Sequence, residues 1–216
     1  MSKLVCISDH HTYHRQINLP AGDVLICAGD ITSQGEISTI LDFNEWLGEQ
    51  TQFKHRIVVF GNHELEWSKK SVNDIQSIFT NAHYLQDSAI VLDGIKYYGS
   101  PYSSWFYDWE YNLPRWDQQN GYAGARAKWG AIPDDTNVLI VHGPAYGILD
   151  ECPDGRKVGC PILLERINQL KELKVVQTGH IHHSRGQEIH NGVQFVNACI
   201  CTEQYRAINK PITFEL

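Results

Sequence analysis

Residues 4–14 read LVCISDHHTYH, an apolar, strand-forming run that breaks directly into Asp9, His10, His11 and, three residues on, His14. A buried strand that ends in a carboxylate and imidazoles brings metal-ligand or acid–base chemistry to one point. Four further apolar, β-branched runs end in the same way. Residues 23–28 lead into Gly29-Asp30, and residues 56–60 into Gly61-Asn62-His63-Glu64. Residues 138–141 deliver His142-Gly143-Pro144, and residues 175–178 deliver Gly179-His180-Ile181-His182. In open α/β sheets the carboxyl ends of the strands converge on a crevice where ligands bind. These five strand ends are therefore expected to meet.

Weaker strand patterns cover 95–98, 193–197 and 211–214, while apolar residues fall near helical spacing over 35–49, 71–80 and 162–173. Strand and helix in alternation predict an α/β protein with much parallel sheet. No repeat, low-complexity tract or linker interrupts the 216 residues, so 1–216 reads as one domain. A composition of 42% hydrophobic and 20% charged residues suits a globular protein with a sizeable core. The net charge of −7 speaks against bulk nucleic-acid binding but leaves room for one phosphate or a small nucleotide. None of the 6 cysteines has Cys-x-x-Cys spacing, and most sit in apolar runs, which reads as reduced thiols rather than a disulfide framework. No apolar run approaches the ~20 residues that span a bilayer, and the first residues lack a signal-peptide pattern. The expectation is a cytoplasmic protein with no membrane partner.

Residues 97–122 stand apart. They hold Tyr97, Tyr98, Tyr102, Trp105, Phe106, Tyr107, Trp109, Tyr111, Trp116 and Tyr122, broken by Pro101 and Pro114, with neither a strand nor a helix period. Such a stretch predicts either a functional loop or a second small core beneath a long loop.

The donor types can be read without a family. Two Asp, four His and one Asn offer hard oxygen and borderline nitrogen but no thiolate, which suits Mn²⁺, Fe, Ni²⁺ or Zn²⁺ in open sites. The ordered set D-x-H, G-D, G-N-H-E, H and G-H-x-H, from Asp9 to His182, resembles the calcineurin-like metallophosphoesterases. "LPAGDVLICAGDIT", "FNEWLG", "YYGSPY" and "HGPA" resemble its metallophosphoesterase-domain-containing branch.

That resemblance implies a four-layer α/β/β/α sandwich with two mixed β-sheets. It also implies two divalent ions, manganese foremost, which less two carboxylates leave about +2, attractive to a phosphate ester despite the acidic chain. Asp9, His11, Asp30 and His182 would hold one, and Asp30, Asn62, His142 and His180 the other, with Asp30 shared. A hydroxide between the ions would attack phosphorus, and His63 would protonate or stabilise the leaving alkoxide. His14, Arg185, Trp105, Trp109 and Trp116 are the candidate substrate contacts. The implied activity is a phosphodiesterase on a small diester, foremost a cyclic nucleotide such as a 2′,3′-cyclic form. The alternatives are a broad phosphomonoesterase or protein phosphatase on the same site, and a non-catalytic scaffold. The acidic charge and the lack of a Lys/Arg stripe disfavour a nuclease.

Overall fold

The computed structural model describes residues 2–113 and 120–216 and contains two mixed sheets with helices on their outer faces. One sheet has β1 (Lys3–Ile7), β2 (Val24–Ala28), β3 (His55–Val59) and β4 (His83–Tyr84) running parallel, with β11 (Ile212–Glu215) antiparallel beside β1. The other orders its strands β5 (Ser88–Leu92), β6 (Ile95–Ser100), β7 (Val138–Val141), β8 (Val175–Thr178), β10 (Val193–Asn197) and β9 (Gly186–His190). Here β6, β7, β8 and β10 are parallel, and β5 and β9 form antiparallel edges.

Alternation along the central strands explains why their sequences read as unbroken apolar runs. Successive side chains point to opposite faces, and here both faces are buried. Leu4, Val24, Ile26, Ile57 and Val59 turn inward to meet Tyr97, Val138, Ile140 and Val175 of the second sheet. Val5, Ile7, Leu25 and Val58 turn outward against Ile40, Phe43 and Leu47 of α1 (Ile37–Glu49) and Ile75 of α2 (Val72–Ile78). On the far side, Leu139, Val141 and Val176 pack on Ala125 and Trp129 of α3 (Ala123–Gly130) and on Ile162, Leu163 and Ile167 of α4 (Pro161–Ile167). The result is the expected α/β/β/α layering.

The structure adds elements that apolar spacing did not predict: β4, β5, β9 and α3. β5 and β9 are edge strands, and β5 alternates half-buried with exposed residues, so it lacks a buried-strand signature. Both pair into hairpins closed by Asp93-Gly94 and Asn191-Gly192, whose residues all have positive φ. Those dipeptides are strong hairpin signals. The helix expected over 162–173 ends at Ile167, and the one over 71–80 starts after Ser71, whose side chain accepts the Asp74 N–H.

Parallel pairing places the carboxyl ends of β1, β2 and β3 side by side, and those of β7 and β8 likewise. The two sheets are joined at that end. The buried Gln177 amide of β8 donates to the carbonyls of Ile7 (3.0 Å) and Ile26 (3.2 Å). Ser8 N, just past β1, donates to Ala198 O, just past β10 (3.0 Å).

Candidate functional site

All five strand ends meet. The chain leaves each strand abruptly: Asp9, His11, Asp30 and His180 have φ of 48°, 41°, 53° and 66°. Non-glycine residues rarely adopt this region, and clusters of them mark sites that the surrounding structure holds in place. Asp9, His11, Asp30, Asn62, His63 and His142 are buried. Donor atoms within 4.8 Å of one another form three groups: Asp9, His182 and Cys199; His11, Asp30 and His63; Asp30, His142 and His180. Asp30 belongs to two of them.

The histidines are oriented by backbone carbonyls, which can only accept. His11 Nδ1–H donates to Thr32 O (3.2 Å), His63 Nδ1–H to Ser33 O (2.7 Å), His142 Nδ1–H to Ala28 O (2.8 Å) and His182 Nδ1–H to Thr202 O (2.9 Å). Each neutral ring therefore offers its Nε2 lone pair to the centre, the usual way a ligating histidine is fixed. His11 Nε2 faces His182 Nε2 at 3.3 Å, and His142 Nε2 lies 2.9 Å from Asn62 Oδ1 and 3.3 Å from Asp30 Oδ1. Converging lone pairs of this kind require a cation, either a proton on an imidazole or a metal ion in its place.

The titration behaviour follows from burial and the two carboxylates. Burial opposes charge on His142 and His182, yet Asp30 lifts His142 to about 10 and Asp9 lifts His182 to about 9. Burial dominates at His11 and His180, pushing them down to about 4 and about 3. Although burial raises it, Asp30 is held well below the ordinary carboxylate range by His142 and His63. Asp9 is likewise lowered, by its hydrogen bond to His182 against the cost of burial.

Small residues leave the room this packing needs. A Cβ on Gly61 would lie 2.4 Å from Asp30 Oδ1, and one on Gly179 would lie 2.1 Å from Asp9 Oδ2. Glu64, buried beneath the site, ties two of its loops together. Its carboxylate accepts from the backbone N–H of Asp30 (3.2 Å), Ile31 (2.9 Å), Thr32 (2.9 Å) and Gly61 (2.6 Å), and from the Thr32 hydroxyl (3.1 Å).

The opening motif divides. Asp9 and His11 face the centre, whereas His10 and His14 turn outward into the core. His10 packs on Phe43 with ring centroids 4.8 Å apart, and neither of its ring nitrogens has a partner among the described residues. His14 Nε2 donates to Asp42 Oδ2 (2.7 Å) and its ring meets Phe43 and Trp46. It is not at the site.

The other substrate candidates also scatter. Trp109 lies against His63, 4.3 Å between centroids. Trp105 lines a separate cavity with Tyr122, Tyr146 and Lys157. Trp116 lies outside the described residues. The Arg185 guanidinium donates to Lys210 O (2.6 Å) and lines a surface cavity beside His182 and His183. The aromatic stretch divides: Tyr111 and Leu113 enter two different cores, while Trp109 and Phe106 lie against His63 and His180.

Two contributors went unread in the sequence: Cys199 donates to Asp9 Oδ2 at 3.1 Å, and Tyr205 packs on His11 at 4.8 Å. Glu64 was visible as the end of the G-N-H-E run, but not its part in joining the loops. β10 runs parallel to β8, so following its carboxyl end as the other five were followed reaches Cys199.

Comparison with known proteins identifies the setting. The calcineurin-like phosphoesterase family matches residues 2–184. The chain is similar to human metallophosphoesterase domain-containing protein 1, with 37% identity over 100% of this chain and 71% of that one, and the mouse protein gives the same figures. It is also 35% identical to UPF0046 protein K07C11.7 of Caenorhabditis elegans, over 98% of this chain and 74% of that one. A solved crystal structure shares the fold with a TM-score of 0.60 at 16% identity, covering 91% of this chain and 90% of that one.

Proposed function

Because the chain belongs to the calcineurin-like phosphoesterases, we propose that it is a phosphodiesterase that works with two divalent metal ions on a small diester, foremost a cyclic nucleotide such as a 2′,3′-cyclic form. The observation that carries this reading is the place of the Asp30 carboxylate in two donor groups at once, with Nε2 lone pairs aimed inward from both sides. Asp9, His11, Asp30 and His182 would hold one ion, and Asp30, Asn62, His142 and His180 the other. Oxygen and imidazole donors suit Mn²⁺, with Fe, Zn²⁺ and Ni²⁺ as further candidates. Such ions, when bound, supply Lewis-acid stabilisation of phosphoryl oxygens and acidify water.

The chain's own residues supply the rest. Carbonyls of Ala28, Thr32 and Thr202 fix the ring orientations, and the small residues keep the centre free of Cβ atoms. His63 gives its Nδ1–H to Ser33 O, so in its imidazolium form the Nε2–H, 3.8 Å from Asp30 Oδ2, is the proton that would pass to the departing alkoxide and leave the neutral ring. Asp30 accepts the His63 backbone N–H (2.9 Å), which keeps that imidazole registered to the shared carboxylate. A cavity of about 200 Å³ over these residues suits a small substrate rather than a duplex.

The same reading takes 1–216 as one domain, because β11 at one end of the chain pairs with β1 at the other. It places the protein in the cytoplasm, in keeping with five buried cysteines of six. No helix among the described residues is long and apolar enough to cross a membrane. The test is turnover of 2′,3′- and 3′,5′-cyclic nucleotides beside bis-p-nitrophenyl and p-nitrophenyl phosphate, with Mn²⁺ added. Cyclic-nucleotide cleavage that Asp30→Asn abolishes supports the proposal. Faster cleavage of the monoester replaces it with a phosphomonoesterase, and inactivity with every metal replaces it with a scaffold.

A further inference from the structure

The family match ends at residue 184, yet the loop that follows β10 walls the same cavity. Thr202 of this loop accepts the His182 Nδ1–H. Tyr205, held by its N–H on Thr202 O (2.8 Å), places its ring 4.8 Å from His11, 5.5 Å from His182 and 6.1 Å from His63. Its φ is 55°, a conformation that a bulky side chain keeps only where the surroundings enforce it. One aromatic ring thus meets histidines from three separate strand ends.

Phe106 stands over the other half of the cluster. Its ring lies 5.5 Å from His180 at 87°. Asn112 fixes this part of the aromatic loop, donating to the carbonyls of Phe106 (3.0 Å) and Trp109 (3.1 Å). Phe106 and Tyr205 both line the cavity that contains Asp30, Asn62 and His63, and they remain 45% and 49% exposed. Large aromatic surface left open directly above a polar centre is rare in a packed interior and is the usual means of recognising a planar ligand.

We infer that Tyr205 and Phe106 are specificity-determining residues that hold a nucleobase of the substrate beside its phosphorus. The inference rests on the phosphodiesterase reading above and takes recognition away from Trp105, whose cavity is elsewhere. Trp109 serves His63 instead, covering its ring. The binding wall lies partly outside the segment that carries the family's motifs, since Tyr205 follows residue 184 while Phe106 precedes it.

Two diesters with one leaving group separate the wall from the chemistry: thymidine 5′-(p-nitrophenyl) phosphate and methyl p-nitrophenyl phosphate. Tyr205→Leu should cost about tenfold or more in kcat/KM on the thymidine ester relative to the methyl ester, chiefly through KM. Phe106→Leu should act in the same direction, and Tyr205→Phe should restore the preference. Equal losses on both esters, or no rescue by Phe, would overturn the inference. A wild type that hydrolyses neither diester sinks the phosphodiesterase reading itself. The wall is then read by equilibrium dialysis of thymidine 5′-phosphate and ribose 5-phosphate on Mn²⁺-loaded protein. A preference for the nucleotide that Tyr205→Leu removes would keep the wall, and no preference in the wild type would overturn it.

Discussion

Replacing Glu64 with Gln changes one atom of a fully buried side chain, and the structure says this is costly. The carboxylate accepts five hydrogen bonds, three on Oε1 and two on Oε2. Burial and the neighbouring Asp30 raise the Glu64 pKa, while the backbone N–H groups of Thr32 and Gly61 lower it. Four N–H groups pointing at one carboxyl leave it little to donate to, so we take the ionised form as the native one. A Gln amide must turn its NH₂ toward one pair of N–H groups. The less costly choice faces Asp30 N and Gly61 N, stranding two buried donors at ~1–3 kcal/mol each, or ~2–6 kcal/mol in all. Against a typical total of about 5–15 kcal/mol, this should shift the urea midpoint of metal-free protein strongly at constant m-value. The loop that carries Asp30 would loosen too, weakening metal uptake. A loss under ~0.5 kcal/mol would refute the reasoning, because it would mean that Glu64 is already neutral and that the amide fits in its place.

Three more outcomes follow from the site. His63→Gln should keep the metals but slow turnover by about 10²–10⁴, the range of a lost general acid, whereas Asp30→Asn should reduce both metal content and turnover; equal metal loss in the two variants would contradict the role given to His63. Gly179→Ala should disrupt Asp9, whose Oδ2 would lie 2.1 Å from the new Cβ, and metal analysis should show a depleted protein that still folds by circular dichroism. Metal binding should release protons near pH 7.5, because His142 and His182 titrate at about 10 and about 9 without metal. Their folded pKa values are raised, so they stabilise the metal-free fold fully below the unfolded value of ~6.5, and that contribution is lost as pH rises through 9 and 10. Calorimetry in buffers of different ionisation enthalpy reads the release, and identical heats in all buffers would count against it.

Much of this molecule is written locally. Each of the five strong strands is an apolar run whose side chains fill two hydrophobic layers at once, and the residue that breaks the run is the one that reaches the centre. Order along the chain was therefore enough to gather Asp9, His11, Asp30 and Asn62 at the end of one sheet and His142, His180 and His182 at the end of the other, since parallel strands end together; the packing of the two sheets makes them one centre. Asp93-Gly94 and Asn191-Gly192 were equally legible as hairpin turns, but their edge strands lack a second buried face and so lack the apolar run.

Other features depended on contacts between distant parts of the chain. His10 and His14 stand beside two site residues in sequence, yet the chain's turn after Ile7 sends them outward to Phe43 and Trp46, a choice made by helix α1 some thirty residues on. Glu64 closed a recognisable G-N-H-E run, but its hold on the backbone of residues 30–32 comes from the tertiary fold. Tyr205 carries no motif, and only the return of the last loop across His11 and His182 makes it a wall of the site. Periodicity encodes which face of an element is buried; it does not encode which distant loop will cover the end of the sheet, because that depends on how the two sheets pack.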